Sequence, residues 1–345
     1  TLDEVLKASS YEDKRARCAM GRGNDDVQYG IGLALSYRGM SLGAEGTDFN
    51  SAIVSVQPDG SILLETGVHE NGQGAESTMI LLLAETLGVG RGRIRYRQAS
   101  TSNIPDGGTT VASRATLMGG GAVVNAAKII RQKIAEFVAP RGGLSEDDIV
   151  IAGDEVRGRT PAQCLTFNEV VRLLYAAQEY PYALGVFRAP RVSWDEHTGQ
   201  GNAYFTWVYG CQAVELTVSR KTGKTTLLNA WAAHDVGRAV NPAMLKGQFY
   251  GGIAMGTGYA LLEEVKMDQG RISTLNFDRY RTPRATDLPE MHAIIVENED
   301  PLSPSGAKGI GEPSNELMAP AIANAVYHAT GKRQTRLPIK VEAAG

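Results

Sequence analysis

Glycine is the residue that most constrains this chain, because 40 of its 345 residues are glycine, well above the usual share of about 7%. The glycines cluster with short polar side chains in four segments, HENGQG at 69–74, GGTTVAS at 107–113, GQ at 247–248 and GAKGIGEP at 306–313. Glycine lets a backbone approach a ligand closely, and neighbouring amides, Gln, Thr and Ser donate hydrogen bonds to oxo or phosphate groups. Each segment alone is typical of a turn. Four together predict a ligand-binding site.

Strand and helix patterns alternate irregularly along the chain. Residues 51–66 and 214–224 each predict an antiparallel hairpin, and RIRYRQAS at 93–100 predicts a further strand. AESTMILLLAETLGV predicts a helix that Gly88 ends. Other helices are predicted over 117–137, 167–178, 242–262 and 313–330. Without a strict βαβ rhythm or a repeat, the fold class predicted is α+β, in two mixed α/β subdomains.

A change of composition after PRGG at 140–143 predicts the boundary between the subdomains. The first would cover residues 1–142 and the second residues 143–345.

Net charge is −3 without a basic run, which argues against nucleic acid and anionic membranes as partners. The N-terminal stretch lacks an apolar signal core, and no window reaches the length of a membrane span. We therefore expect a soluble, cytoplasmic protein.

Several kinds of active site lack support in the sequence. Cys18, Cys164 and Cys211 form no CxxC pair, so we expect no disulfide framework, iron–sulfur cluster or zinc site here, and any redox relay on another chain. The five histidines lack the spacing of metal ligands. His69 begins a partial HExxH motif, but Gln73 replaces its second histidine. Neither a GxSxG elbow nor a Walker loop occurs.

Glu312 is the carboxylate with the most informative position. It precedes Pro313 and the helical stretch PSNELMAPAIANAVYHA, so we expect it at a helix N-cap with proline at the first helical position. There it can stabilise the helix dipole. It can equally act as a general base whose basicity depends on the balance between helix amides and burial. The residues alone leave both interpretations open.

Four stretches, in order ENGQGAEST, TTVASRATLMGGGAVVNAA, HDVGRAVNPAMLKGQFYGG and GAKGIGEPSNE, resemble the molybdenum-binding subunits of the xanthine dehydrogenase and aldehyde oxidoreductase family. The resemblance spans nearly the whole chain. Several separated motifs in one order are far more specific than any single one. The resemblance implies the molybdopterin-binding C-terminal region of that family and a molybdenum-dependent hydroxylase or dehydrogenase.

The resemblance also implies roles for individual residues. Glu312 in GIGE matches the family's general base at the molybdenum centre. Gln73 in NGQG matches a glutamine that contacts the pterin, and Gln248 matches a further cofactor glutamine. Ala115 stands where relatives commonly have a second serine, so that hydroxyl is missing here. Further cofactor contacts are implied at Gly74, Thr110, Ala112, Ser113, Gly309 and Gly311.

The cofactor implied by the resemblance is molybdopterin cytosine dinucleotide, with molybdenum held through the pterin dithiolene and carrying a terminal sulfur or selenium. No protein residue is implied as a metal ligand. The half of the family's subunit that carries the FGG loop is not in this sequence, which implies a split molybdenum subunit, similar to the medium molybdopterin subunit of nicotinate dehydrogenases. The partners implied are a large molybdopterin-binding subunit, an FAD subunit and a 2Fe-2S subunit.

The split arrangement favours nicotinate, a small aromatic substrate, with 6-hydroxynicotinate as product. A cation or donor must then meet the carboxylate, and Tyr37, Arg38 and Arg114 lie beside the motifs, although such residues are more often simply on the surface. Purine and aldehyde hydroxylases share the motifs and remain alternatives. A non-catalytic scaffold is a further alternative, against which the intact Glu312 and Gln73 argue.

Overall fold

The structure is a computed structural model that describes residues 1–20, 26–102, 104–160 and 163–343. Eight α-helices are described: α1 Leu2–Ser9, α2 Tyr11–Met20, α3 Ala75–Leu87, α4 Gly120–Val138, α5 Phe167–Ala176, α6 Pro242–Leu261, α7 Pro313–Glu316 and α8 Met318–Thr330. The strands in the same ranges are β1 Val27–Gly39, β2 Phe49–Val56, β3 Ile62–Thr66, β4 Ile94–Tyr96, β5 Val150–Ala152, β6 Glu155–Arg157, β7 Cys164–Thr166, β8 Tyr182–Arg188, β9 Ser193–Asp195, β10 Gln200–Asn202, β11 Trp207–Ser219, β12 Thr225–Asp235, β13 Met267–Asp268, β14 Arg271–Ile272 and β15 Glu290–Val296.

One four-stranded sheet has the order β4-β3-β2-β8. Strands β2 and β3 form the hairpin predicted over 51–66, with Val56 opposite Ile62. Helices α3 and α4 pack together, and α4 lies against β2 and β8, which encloses a large apolar core. Helix α3 ends at Gly88, whose left-handed φ of 83° forms the predicted C-cap. The predicted strand at 93–100 is shorter, because only Ile94–Tyr96 pair with β3.

The second four-stranded sheet has the order β1-β11-β12-β15. The predicted hairpin around 214–224 is confirmed by β11 and β12. Helix α8 packs closely on β1, because a Cβ on Gly30 would lie 2.1 Å from the carbonyl oxygen of Ala325, and one on Gly32 would lie 2.2 Å from the Ala325 nitrogen. Glycine is therefore required at both positions. Helix α1 contacts β11 and β12, and a smaller apolar cluster lies there.

The mixture of helix and strand confirms the α+β prediction. The division at residue 142 stays a prediction, and the two large sheets interleave along the chain. Strand β1, from the first part, pairs with β11, whereas β8, after the predicted boundary, pairs with β2. No helix within the described ranges has the length and apolar character needed to cross a membrane.

Three predicted helices begin, end or divide at slightly different residues in the structure. A single π-helical turn over Ala115–Gly119 precedes α4. Helix α6 covers Pro242–Leu261, close to the predicted 242–262. The helix predicted over 313–330 is divided into α7 and α8 at Leu317. These helix starts surround one cleft.

Candidate functional site

The four glycine-rich segments, far apart in the sequence, meet at a cleft of about 510 Å³. The first segment contributes Gln73, which lies just before α3. Helix α6 contributes Gln248 along its length. The predicted site residues that line this cleft are Gln73, Thr110, Ser113, Gln248, Gly309, Gly311 and Glu312. A single site therefore contains most of the residues chosen from the sequence.

Two predicted site residues lie elsewhere. Gly74 is buried at the N-cap of α3 with a φ of 82°, and a Cβ there would lie 2.4 Å from the Met244 side chain. Ala112 lines a neighbouring cleft instead. Ala112 and Ser113 both have left-handed φ values, 47° and 53°, which is uncommon outside glycine and costs energy. The loop is therefore held in shape by its contacts.

Ser113 and Glu312 join the second and fourth segments. The Ser113 hydroxyl donates to Oε2 of Glu312, and the backbone N–H of Glu312 donates to the Ser113 Oγ at 3.0 Å. A Cβ on Gly309 would lie 1.7 Å from the carbonyl oxygen of Ser113, so only glycine fits there. This close approach sets Glu312 against the 107–113 loop.

Glu312 occupies the predicted N-cap position of α7, with Pro313 at the first helical position. Its side chain is directed to Ser113 and to Arg38 rather than back to the helix amides. Arg38 Nη2 lies 3.6 Å from Oε1 of Glu312, and Nη1 lies 3.1 Å from Oε2 of Glu316. The Glu312 side chain is 44% exposed. The carboxylate is thus available to a ligand in the cleft.

Gln73 also shapes its own turn. Its Nε2 donates to the carbonyl of His69 at 2.8 Å, and its Oε1 accepts from the Asn71 N–H at 2.7 Å. Beside it, the Glu70 carboxylate accepts the backbone N–H groups of Gly72 and Gly74. Burial opposes ionisation of Glu70, but hydrogen bonds from backbone N–H groups outweigh it and lower its pKa. Gln73 thus lines the cleft while its amide stabilises the turn.

Arg114 is a buried structural residue and not a substrate contact, which corrects the sequence-based suggestion. It is 3% exposed. Its Nε donates to Oδ1 of Asp48 at 2.9 Å, and its Nη1 donates to the carbonyls of Gly107 and Thr109 at 2.8 and 3.0 Å. Its Nη2 donates to the carbonyl of Phe49 at 2.7 Å. Arg114 therefore ties the 107–113 loop to the start of β2.

Two cations in the cleft wall were missed from the sequence. Lys308 Nζ lies 2.7 Å from Asp235, and both side chains are buried. Arg238 donates to the Ser305 carbonyl at 2.7 Å and to Glu85 at 2.8 Å. Both line the cleft, and each is paired with a carboxylate, so the two ion pairs add no net positive charge to the wall. The signal was present, since both lie inside the stretches HDVGRAVNP and GAKGIGEP. Thr116, a further hydroxyl in the wall, was also missed.

A second cleft adjoins the first, with Val111 in both walls. Tyr37 stacks on Trp207 at 4.1 Å between ring centroids. Arg38 and Glu316 complete part of this wall. Glu312 lines the first cleft, and Arg38, which contacts Glu312, lines the second, aromatic cleft.

Comparison with known proteins identifies the class of site. A family model described as a molybdopterin cofactor-binding domain matches residues 4–289. The chain is 30% identical to a probable xanthine dehydrogenase subunit from Bacillus subtilis, over 92% of this chain and 41% of that protein. A putative xanthine dehydrogenase molybdenum-binding subunit from Escherichia coli is also 30% identical, over 98% of this chain and 44% of its own length.

The fold agrees. The crystal structure of quinoline 2-oxidoreductase from Pseudomonas putida matches with a TM-score of 0.85 and 27% identity, covering 96% of this chain and 42% of that one. The chain belongs to the molybdopterin-binding subunits of the molybdenum hydroxylase family. It spans less than half the length of the curated relatives described above.

Proposed function

We propose that this chain forms part of the catalytic centre of a multi-subunit molybdenum hydroxylase, with Glu312 as its general base. The observation that carries the proposal is the position of the Glu312 carboxylate. It lies at the cleft where all four glycine-rich segments meet, in contact with Ser113 and Arg38. A carboxylate that only capped the helix would be directed to the amides of α7 instead.

The cleft fits an anionic pterin cofactor. Gln73, Gln248, Thr110 and Ser113 supply amides and hydroxyls from three directions, as a heterocycle with many donors and acceptors requires. Arg238 and Lys308 also line the cleft, where Glu85 and Asp235 balance their charges. Gly309 and Gly311 let the backbone of the fourth segment approach Ser113 closely. Gly74 and Ala112 would act indirectly, by shaping the turns that carry these donors.

When bound, the molybdenum cofactor supplies two-electron oxidation and activates the water from which the product oxygen derives. Glu312 would act as the general base and hold the proton given up by that water on its carboxylate. Ser113 keeps the carboxylate oriented through its hydroxyl. The cytosine dinucleotide form of the cofactor and a terminal sulfur or selenium ligand belong to the same proposal. Electrons would leave to 2Fe-2S clusters and FAD on partner subunits, beside a large molybdopterin-binding subunit.

The substrate we propose is a small electron-poor aromatic ring, with nicotinate to 6-hydroxynicotinate as the first candidate. The aromatic cleft beside Glu312 and the match to quinoline 2-oxidoreductase support a ring substrate. Arg38 is already shared by two carboxylates, so the nicotinate carboxylate would need a cation from polypeptide outside these residues. Purines and aldehydes are the alternatives that an assay must include.

Replacing Glu312 with Gln tests the proposal, because the change preserves size and removes basicity. In the assembled complex we expect unchanged molybdenum content and a loss of turnover of at least about 10²-fold, since a general base contributes about 10²–10⁴-fold. Nicotinate, a purine and an aldehyde are assayed in parallel. Glu264→Gln is the matched control, since Glu264 pairs with Lys340 away from the cleft. Turnover near the wild-type rate in Glu312→Gln would disprove the assignment.

A further inference from the structure

Arg38 connects the two clefts through a pair of carboxylates. It lies near the end of β1, opposite Val208 of β11. Its guanidinium contacts Glu312 at 3.6 Å and Glu316 at 3.1 Å. The two carboxylates are four residues apart, so they lie on the same side of one helical turn. Like charges at this spacing repel each other, and the guanidinium between them offsets that repulsion.

The two contacts of Arg38 differ in strength. The contact with Glu316 is a charge-assisted hydrogen bond, from Nη1 to Oε2. The contact with Glu312 is longer and is an ion pair without a hydrogen bond in this geometry. Arg38 Nε and Glu316 Oε1 are buried and lack partners among the described residues. Arg38 is therefore anchored to Glu316 by a hydrogen bond and makes a weaker ion pair with Glu312.

We propose that Arg38, anchored by Glu316, is a positioning residue that sets the orientation and charge of Glu312. This inference rests on Glu312 being the base. The Arg38 guanidinium attracts the Glu312 carboxylate, whereas the Glu316 carboxylate repels it, so the two groups act on Glu312 with opposite sign. Removing Arg38 and removing Glu316 should therefore change the protonation of Glu312 in opposite directions. A purely structural role predicts no such opposition.

Other charged groups near Glu312 already have partners. In the first cleft, Lys308 is paired with Asp235 and Arg238 with Glu85. In the second cleft, the Tyr204 hydroxyl donates to Glu45 at 3.4 Å. Helix α6 adds the amide of Gln248, and the 107–113 loop adds the Ser113 hydroxyl. Within the described ranges, Arg38 is the cation that forms an ion pair with Glu312.

The experiment compares the pH dependence of kcat/KM for Arg38→Gln, Glu316→Gln and Arg38→Lys in the assembled complex. For Arg38→Gln we expect the acidic limb to move to higher pH, because Glu312 loses the cation that pairs with it. For Glu316→Gln we expect it to move down, with kcat falling about two- to tenfold because the base is weaker. Arg38→Lys keeps the charge but not the forked contact with two carboxylates, so it should restore only part of the wild-type profile.

A second measurement does not depend on the cofactor. Carboxyl ¹³C NMR of the metal-free chain, with Glu312→Gln to assign the resonance, should show the same opposite shifts in its titration midpoint. Arg284→Gln removes an exposed ion pair with Asp287 and should leave both profiles unchanged. Shifts in the same direction, or none, for Arg38→Gln and Glu316→Gln would overturn the inference. Loss of turnover in Glu312→Gln, tested separately, decides the proposed function itself.

Discussion

Buried polar side chains hold the residues that reach the cleft. Arg114 and Asp48 form an ion pair that is almost fully buried and that also takes up the carbonyls of the 107–113 loop. Breaking such a pair leaves an uncompensated charge and costs about 3–5 kcal/mol. The unusual left-handed conformations of Ala112 and Ser113 persist because of these contacts.

His234 is a second buried polar residue, at the end of β12 behind α6. Its side chain is fully buried, and its ring lies edge-on to Phe249 at 5.0 Å between centroids. Its Nε2 lies 3.2 Å from the amide nitrogen of Gln212. Burial lowers the pKa of His234 to about 3, so the folded protein keeps this ring neutral.

The neutral ring predicts a stability that depends on pH. Because the pKa is lower in the folded than in the unfolded chain, the unfolded chain binds the extra proton between about pH 6.5 and pH 3. Stability from this residue is complete above about pH 6.5 and is lost as the pH falls. Between pH 7 and pH 5 we expect a loss of about 2 kcal/mol in the free energy of unfolding.

Urea unfolding of wild type and His234→Gln at both pH values measures that loss. The variant should lose less stability than wild type by about the same 2 kcal/mol. His197→Gln replaces an exposed histidine and should keep the wild-type dependence. Equal losses in His234→Gln and wild type would show that another group is responsible.

Between elements, the packing of α6 on α7 sets the position of the short helix that Glu312 precedes. A Cβ on Gly252 would lie 2.4 Å from the Ser314 Oγ and 2.5 Å from Ser314 backbone atoms. A Cβ on the preceding Gly251 would meet nothing within 4 Å. Two adjacent glycines on one helix thus have different requirements.

This contrast gives a matched pair of variants. Gly252→Ala should destabilise the metal-free chain by about 1–3 kcal/mol, because α7 must move to admit the methyl group. Gly251→Ala should be neutral or stabilising by about 0.5–1 kcal/mol, because alanine favours helix. Thermal and urea unfolding of both variants measure the difference. Equal stability in the two variants would mean that α7 adjusts freely and that the contact does not fix its position.

In the molecule as a whole, parts of the cleft wall are exposed to solvent. Glu312 is 44% exposed, and Met255 in the same wall is 63% exposed. A bound cofactor normally has most of its surface enclosed. The remaining walls would come from polypeptide beyond these residues, which the greater length of the relatives accommodates.

We therefore expect the 345-residue chain, produced alone, to hold little molybdenum. Co-production with a large molybdopterin-binding partner should restore about one molybdenum per catalytic unit. Elemental analysis and the cytidine nucleotide content of both preparations measure this. Stoichiometric cofactor and turnover in the chain alone would show that these residues complete the site without a partner.

Local structure and most of the residues that line the cleft could be predicted from the amino-acid sequence. Alternation and helical spacing placed the hairpins and the ends of α3 and α6 correctly, because these depend on neighbouring residues. The glycine-rich segments were found because four of them combine glycine with short polar side chains, and Glu312 was found because it precedes Pro313 and a predicted helix. Their motif order also indicated the family.

Which of these residues meet depends on the tertiary structure. Arg114 was expected near the surface but is buried. Its partner Asp48 lies 66 residues away in the sequence, so no local pattern indicates the ion pair. Ala112 faces the aromatic cleft rather than the first one. Arg38 reaches Glu312, far along the chain, through the pairing of β1 with β11 and the packing of α7 on that sheet. Such contacts depend on strand register and helix packing, which no local pattern specifies.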